Sequence, residues 1–323
     1  MPPNNRSSTS NSDMLRSLII LLTSALLTVA GSAGVVFAVD YDGLLGTGVI
    51  PPMDPAVVVQ KNSLADMGGT WDLVILGSSH IMWLHPTDLD EEGVKALNLG
   101  TLGSTPEMTL SMWRRFEAAG GSAHRVLVGF DDLVVTADAR LIGEHGRNLS
   151  DHLSRDSLQK AIRAGIRHAA GGSPTRAFSE AGGWEDAEAR FPALNQTESE
   201  AQASELSRLF DTVEQPNSDI ALPWLELAES IGPQADFVRV PVSPFAAALW
   251  SEQSSWREAQ ALLDNLTARI CDTGATVHDL REWRADSRLP YGFWDSNHLD
   301  REASLAMLHE VGTGARDICH GWG

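Results

Sequence analysis

Short apolar runs recur along the chain at intervals that leave room for helices. Residues 72–76 read Asp-Leu-Val-Ile-Leu and run into Gly77; residues 94–98 end before a glycine-rich turn at Gly100 and Gly103. Residues 125–129 form a third run, 237–240 a fourth that Pro241 stops, and 276–280 a fifth. Runs of about five residues rich in β-branched side chains read as buried strands, and a proline cannot donate to a central ladder. Between them, Met108, Leu110, Met112 and Phe116 give residues 106–118 a helical spacing, and 252–272 read as an amphipathic helix. Strands alternating with helices of ten or more residues predict βαβ units and an α/β fold with a mostly parallel sheet of about five strands. Residues 140–235 break the rhythm: they are polar, helix-prone and broken by Gly171-Gly172 and Gly182-Gly183. They are expected to form a helical insertion with Trp184 and Trp224 as packing anchors, and the acidic run Glu198 to Glu205 as a solvated helix face.

The N-terminus follows a different pattern. No charged residue stands between Arg16 and Asp40, and residues 17–39 are dominated by Leu, Ile, Val and Ala. About 20 helical residues cross a hydrocarbon core of about 30 Å, so this run is long enough to be a transmembrane anchor. Arg6 and Arg16 precede it and Asp40, Asp42 and Asp54 follow, which places residues 1–16 in the cytoplasm and the rest outside. The alternative is a cleaved signal peptide, with Val36-Phe37-Ala38 as a small-residue cleavage site; the length of the apolar run favours the anchor. Residues 40–70, with Gly43, Gly46, Gly48, Pro51, Pro52 and Pro55, are expected to be a tether and lead-in loop before a domain over 71–323.

Composition narrows the function. The formal net charge is −19, and from Asp40 onward the chain holds 22 basic and 42 acidic residues. Such a surface lacks the basic stripe that nucleic-acid binding requires, so no nucleic acid is expected as a partner. Two cysteines, Cys271 and Cys319, can make one bridge at most, and outside the cytoplasm they could be oxidised. Ten tryptophans and 9 phenylalanines exclude a disordered chain.

Candidate chemistry lies after the strands, because open parallel sheets bind ligands beyond the carboxyl ends of their strands. Gly77, Ser78, Ser79 and His80 follow the first run. Asn98, Gly100, Gly103 and Ser104 follow the second, and Gly129, Asp131 and Asp132 the third. Asp295 and His298 stand three apart near the C-terminus. Each block also has an ordinary structural reading. Gly-Ser-Ser is a common turn, the glycines permit a tight βα connection, and Asn297 or Asp300 could simply cap a helix beginning near Arg301. All four blocks could converge on one crevice, and together they contain a serine, glycine amides, and an Asp and a His three apart.

The arrangement resembles the SGNH/GDSL hydrolase superfamily, whose blocks are Gly-Asp-Ser, Asn-x-Gly-x-x-Gly, Gly-x-Asn-Asp and Asp-x-x-His. The match covers about two dozen residues spread over positions 72–299. Gly-Ser-Ser with an N-terminal anchor is more similar to the extracytoplasmic branch, which includes the teichoic-acid D-alanyl transfer protein and acetyltransferases of exported polysaccharides. The resemblance implies a flavodoxin-like three-layer sandwich. It assigns Ser79 as nucleophile, His298 as general base, Asp295 as its orienting carboxylate, and the backbone N–H groups of Ser79 and Gly103 as an oxyanion hole. Asp131 stands where the superfamily has an asparagine donor, and an ionised carboxylate there would oppose oxyanion formation. The implied function is an extracytoplasmic serine esterase or O-acyltransferase acting on a cell-envelope glycan or polymer through an acyl-serine intermediate. Its partners would be an acyl donor, a glycan or polymer acceptor, the membrane through the N-terminal helix, and a membrane acyl-carrier protein. The alternatives are a plain carboxylesterase or lipase and, in view of Asp131, a catalytically silent scaffold of an envelope assembly. Ser78 is the rival nucleophile. No cofactor is called for, and His80 and His85 lack a third ligand at a metal-binding spacing. Trp83 and Trp294, beside the two catalytic blocks, are either core anchors or a sugar-stacking platform.

Overall fold

The computed structural model of the chain describes residues 11–130, 154–175, 178–184, 193–211, 221–284, 292–314 and 316–319. Its backbone divides into two compact units, residues 57–146 with 176–323 and residues 1–56 with 147–175.

The larger unit is built on five parallel strands: β1 (Thr70–Gly77), β2 (Ala96–Asn98), β3 (Ser122–Phe130), β4 (Ala235–Arg239) and β5 (Thr276–Asp279). Their order is β2-β1-β3-β4-β5, the flavodoxin-like arrangement of a doubly wound sheet. Alternation along each strand supplies both faces. Val74, Leu76, Val126, Val128, Phe237 and Val277 point into one core, where they meet Ala65, Phe116, Trp224, Leu227, Leu263 and Ile270. Leu73, Ile75, Leu127 and Val238 point into the other, against Ile81, Leu89, Ala303, Met307 and Val311. The helices carrying the first set are α2 (Val57–Ala65), α5 (Pro106–Ala118), α8 (Ala221–Ile231) and α10 (Ser254–Asp272). The opposite layer is α3 (Ser79–Met82), α4 (Pro86–Asp90) and α11 (Arg301–Gly312). Two further helices complete this unit, α7 (Gln196–Asp211) and α9 (Pro244–Ser251), packed together through Ala203, Ala246 and Trp250. Cys271 and Cys319 are bonded to each other.

The smaller unit pairs α1 (Asn11–Val39) with α6 (Arg155–Ala169) around Val36, Tyr41, Met53, Ala161 and Ala164. By length and composition α1 can cross a membrane over Met14–Val39, a test that a signal sequence also passes.

Two expectations about organisation are revised. Residues 40–70 are not simply a tether. Asp40 and Asp42 are buried, with Asp40 accepting from the N–H groups of Leu45 and Thr47. Residues 57–65 form α2, whose Lys61 is fully buried. Residues 140–235 do not form one insertion: residues 147–175 group with the N-terminal helix, and α8 is a crossover helix of the sheet. Trp224 accordingly packs on the sheet against Phe130 and Phe237.

Candidate active site

The strand order reverses between β1 and β3, and at such a switch point the following loops part to leave a crevice. Gly77 ends β1 there with φ +135°, and a Cβ on it would stand 2.4 Å from the Gly129 carbonyl oxygen. Only glycine fits this close approach of two backbones, and it lets the chain turn sharply into Ser78 and Ser79. Ser78 is extended and caps α3, its Oγ accepting from the His80 N–H at 3.4 Å. The cap places Ser79 at the first helical position, half-buried.

Asn98, fully buried at the end of β2, fixes the far side of this turn. Its amide donates to the carbonyls of Ile81, Met82 and Leu84 at 3.3, 3.1 and 2.7 Å, and its Oδ1 accepts from Gly100 N–H at 2.9 Å. Those carbonyls belong to the end of α3 and the turn that follows it, so one amide ties both to β2. Gly103 lies further along the same loop with φ +57°.

From the C-terminal side, residues 292–300 double back on themselves. Phe293 bridges Leu299, Trp294 N–H donates to His298 O at 2.7 Å, and Asp300 caps α11 by accepting from Ala303 N–H at 2.7 Å. His298 Nε2 stands 2.8 Å from Ser79 Oγ, and its Nδ1 2.7 Å from Asp295 Oδ2. A carboxylate can only accept, so Nδ1 carries the proton and Nε2 is free to accept from the serine hydroxyl. Asp295 Oδ1 accepts from the N–H groups of Asn297 and His298 at 2.9 and 2.8 Å. Burial opposes ionisation of this carboxyl, but His298 and the two backbone donors outweigh it and hold its pKa far below the ordinary carboxylate range. Asp295 is thus a fixed anion.

The structure brings together Ser79, His298 and Asp295. It leaves Ser78 outside this relay, in a second network: Ser78 Oγ lies 3.3 Å from His80 Nδ1, and His80 Nε2 lies 3.0 Å from the Asn297 amide nitrogen. His85 bonds Thr87 Oγ1 at 2.6 Å and the Trp184 carbonyl at 3.2 Å. Among the described residues no group of three or more His, Cys, Asp or Glu is placed to hold a metal ion. Asp131 lies outside the described residues. Trp83 stacks between Trp184 and Trp294, with ring centres 5.5 and 6.2 Å away, and turns its edge to His298. The aromatic wall beside the imidazole therefore includes Trp184, which the spacing of the motifs does not suggest.

Gln202 of α7 is the other residue that sequence reasoning misses. Its Nε2 donates to Asp295 Oδ2 at 3.3 Å, while its Oε1 accepts from Ser296 N–H at 3.0 Å and Ser296 Oγ at 2.7 Å. The helix begins with a capping box in which Asn195 and Glu198 exchange bonds of 3.0 Å. It is seated by Trp250, whose Nε1 donates to the Ala203 carbonyl at 3.0 Å. Glu198 and Glu205 face outward, as expected of the acidic run.

No family model matches the chain, and no curated protein does. Among solved structures, the chain is similar to a Streptococcus pneumonia protein described provisionally as a platelet activating factor. The identity is 10%, the TM-score 0.38, and the alignment covers 80% of this chain and 90% of that one. A likeness of that size carries no argument about the chemistry, which rests on the geometry above.

Proposed function

We propose that the protein is a serine esterase or O-acyltransferase, anchored by α1 with its α/β domain outside the cytoplasm, that acts on a cell-envelope glycan or polymer. The observation that carries this reading is the relay Ser79 Oγ–His298 Nε2–His298 Nδ1–Asp295 Oδ2, with links of 2.8 and 2.7 Å. The four blocks that resemble the SGNH superfamily support it, as does the meeting of the first and last of them, through Ser79 and His298, beside the switch point of the sheet.

In this mechanism His298 Nε2 takes the Ser79 proton as the oxygen attacks an acyl carbonyl. Asp295 stabilises the imidazolium and keeps the ring in its reactive tautomer without itself accepting the proton. The tetrahedral oxyanion is held by the Ser79 and Gly103 N–H groups. Collapse expels the alcohol, which receives the proton from His298 Nε2, and leaves acyl-Ser79. Water or a sugar hydroxyl, deprotonated by the same nitrogen, then takes the acyl group and restores Ser79. An anchored enzyme suits a polymeric or membrane-proximal substrate, and Trp294, the half-buried outer member of the Trp184–Trp83–Trp294 stack, is the ring on which a sugar could stack.

The test is labelling with a fluorophosphonate probe, which reports an activated serine without knowledge of the substrate. Wild type and Ser78→Ala should label, whereas Ser79→Ala and His298→Ala should not. A folded wild-type protein that fails to label would favour the silent scaffold, and Asp131→Asn is then the variant to examine for gained labelling.

A further inference from the structure

The helix α6 is chemically unlike the rest of the chain. Its 15 residues carry Arg155, Lys160, Arg163 and Arg167 against a single Asp156, in a protein of net charge −19. Lys160 pairs with Asp156 at 2.6 Å and Arg167 with Asp54 at 3.0 Å. Arg155 and Arg163 are exposed and make no ion pair among the described residues. One face, Ser157, Ala161 and Ala164, is buried. A second stripe presents Ile162 and Ile166, one turn apart, with 46% and 65% of their surfaces in contact with solvent. A globular helix does not ordinarily leave two isoleucines in line so open, flanked by exposed arginines.

The location of α6 explains them. It packs on the end of α1: Ala161 and Ala164 share a cluster with Val36, and a Cβ on Gly165 would sit 3.8 Å from Val39 Cγ2. The uncharged stretch 17–39 has 23 residues. At about 1.5 Å per residue that is about 35 Å, some 5 Å more than a hydrocarbon core of about 30 Å. A helix docked on the last residues of such a span therefore lies at the level of the headgroups. An interfacial helix has this composition, with aliphatic side chains dipping into the acyl boundary and Arg side chains reaching up to the phosphates.

We propose that α6 is an interfacial helix that lies on the bilayer at the C-terminal end of α1. Ile162 and Ile166 enter the lipid, and Arg155 and Arg163 contact phosphate headgroups, anionic lipids most strongly. The proposal rests on α1 crossing the bilayer and is independent of the chemistry assigned to Ser79. It gives the anchor a second point of attachment.

The experiment uses the full chain in vesicles of phosphatidylcholine, with and without about one third phosphatidylglycerol. An environment-sensitive fluorophore is placed on Ile162→Cys, Ile166→Cys, Asp156→Cys or Leu22→Cys, the native cysteines being bonded to each other. Brominated lipid should quench the labels at 162, 166 and 22 several-fold and leave the label at 156 bright. Arg155→Gln with Arg163→Gln should remove any gain in quenching from phosphatidylglycerol. If 22 is quenched and 162 and 166 remain open to aqueous iodide, α1 spans and the interfacial helix is refuted. Labels at 162 and 166 shielded from both iodide and brominated lipid would place protein over them, a second copy for example, and refute it equally. An unquenched label at 22 would remove the span and this proposal together, whatever the outcome of serine labelling.

Discussion

Truncating Gln202 tests whether α7 takes part in the proposed chemistry or merely lies beside it. Gln202→Ala removes one of the four donors to Asp295 and the acceptor of two Ser296 donors, and Ser296 is fully buried. Leaving a buried donor unpaired costs about 1–3 kcal/mol. Ser296 Oγ retains Asn297 Oδ1 at 3.3 Å as a second acceptor, so the stability loss should fall near 1–2 kcal/mol. For the relay, a hydrogen bond to a charged group contributes about 1.5–3 kcal/mol. At 3.3 Å the Gln202 bond is longer than the short charge-assisted kind, which sets the low end, about 1.5 kcal/mol. Since about 1.4 kcal/mol is a factor of ten, the second-order rate of fluorophosphonate labelling at Ser79 should fall about tenfold. Gln202→Glu keeps an acceptor for Ser296 but sets a second carboxylate against Asp295, so it should label more slowly than Gln202→Ala. The measurement is labelling rate against probe concentration, with thermal unfolding run alongside. A Gln202→Ala protein that is folded and labels at the wild-type rate would refute a positioning role.

Other consequences follow from the same contacts. Trp250→Phe keeps the ring but removes the bond that seats α7 at Ala203; labelling should slow, and by less than a multiplicative factor when combined with Gln202→Ala. Cys271→Ser with Cys319→Ser opens a loop closed over 48 residues, which chain entropy values at about 4 kcal/mol. Tm should drop by roughly 8–16 °C, and a loss below about 1 kcal/mol would contradict that account. Lys61 donates to the carbonyls of Asn98 and Gly182 at 2.7 and 2.8 Å, and burial holds its pKa well below the usual lysine value. A neutral amine keeps both bonds, and between the lowered pKa and about 10.4 the unfolded chain binds more protons than the native one. The stability of wild type relative to Lys61→Met should therefore rise with pH across that window in denaturant titrations, and a flat difference would refute the reading of a buried neutral amine.

The sheet was legible because all five strands are parallel and buried, so each reads as a short unbroken apolar run. Expected and observed strands agree to within a few residues; β1 and β3 begin earlier than expected, at the exposed Thr70 and Ser122. The region between β3 and β4 was not legible for two physical reasons. The helix α8 carries Trp224, Leu227 and Ile231 on a face the sheet buries, but its polar neighbours in sequence dilute that signal. The segment 40–56 looks like a tether by its glycines and prolines, yet Tyr41 and Met53 are buried against α6, a contact that depends on residues more than a hundred positions away.

The candidate site divides along the same line. Ser79, Asp295 and His298 were readable because each sits in a short motif whose spacing is local: a turn after a strand, and a carboxylate three residues before a histidine. Gln202 had no such mark. Its neighbours Glu198, Glu200 and Glu205 define a solvated face, and only docking of that helix through Ala203 and Trp250 turns the glutamine toward Asp295. A Ser-His-Asp relay asks for a carboxylate that is ionised and cannot rotate. Two backbone N–H groups fix Oδ1 of Asp295, and the imidazole and the amide of Gln202 together hold Oδ2. The same amide accepts from Ser296, the residue between the carboxylate and Asn297, so one side chain restrains both the acid and the loop that carries it. Gln202 thus ties the residues between β3 and β4 to the proposed chemistry, and residue patterns along the chain are blind to contacts of that kind.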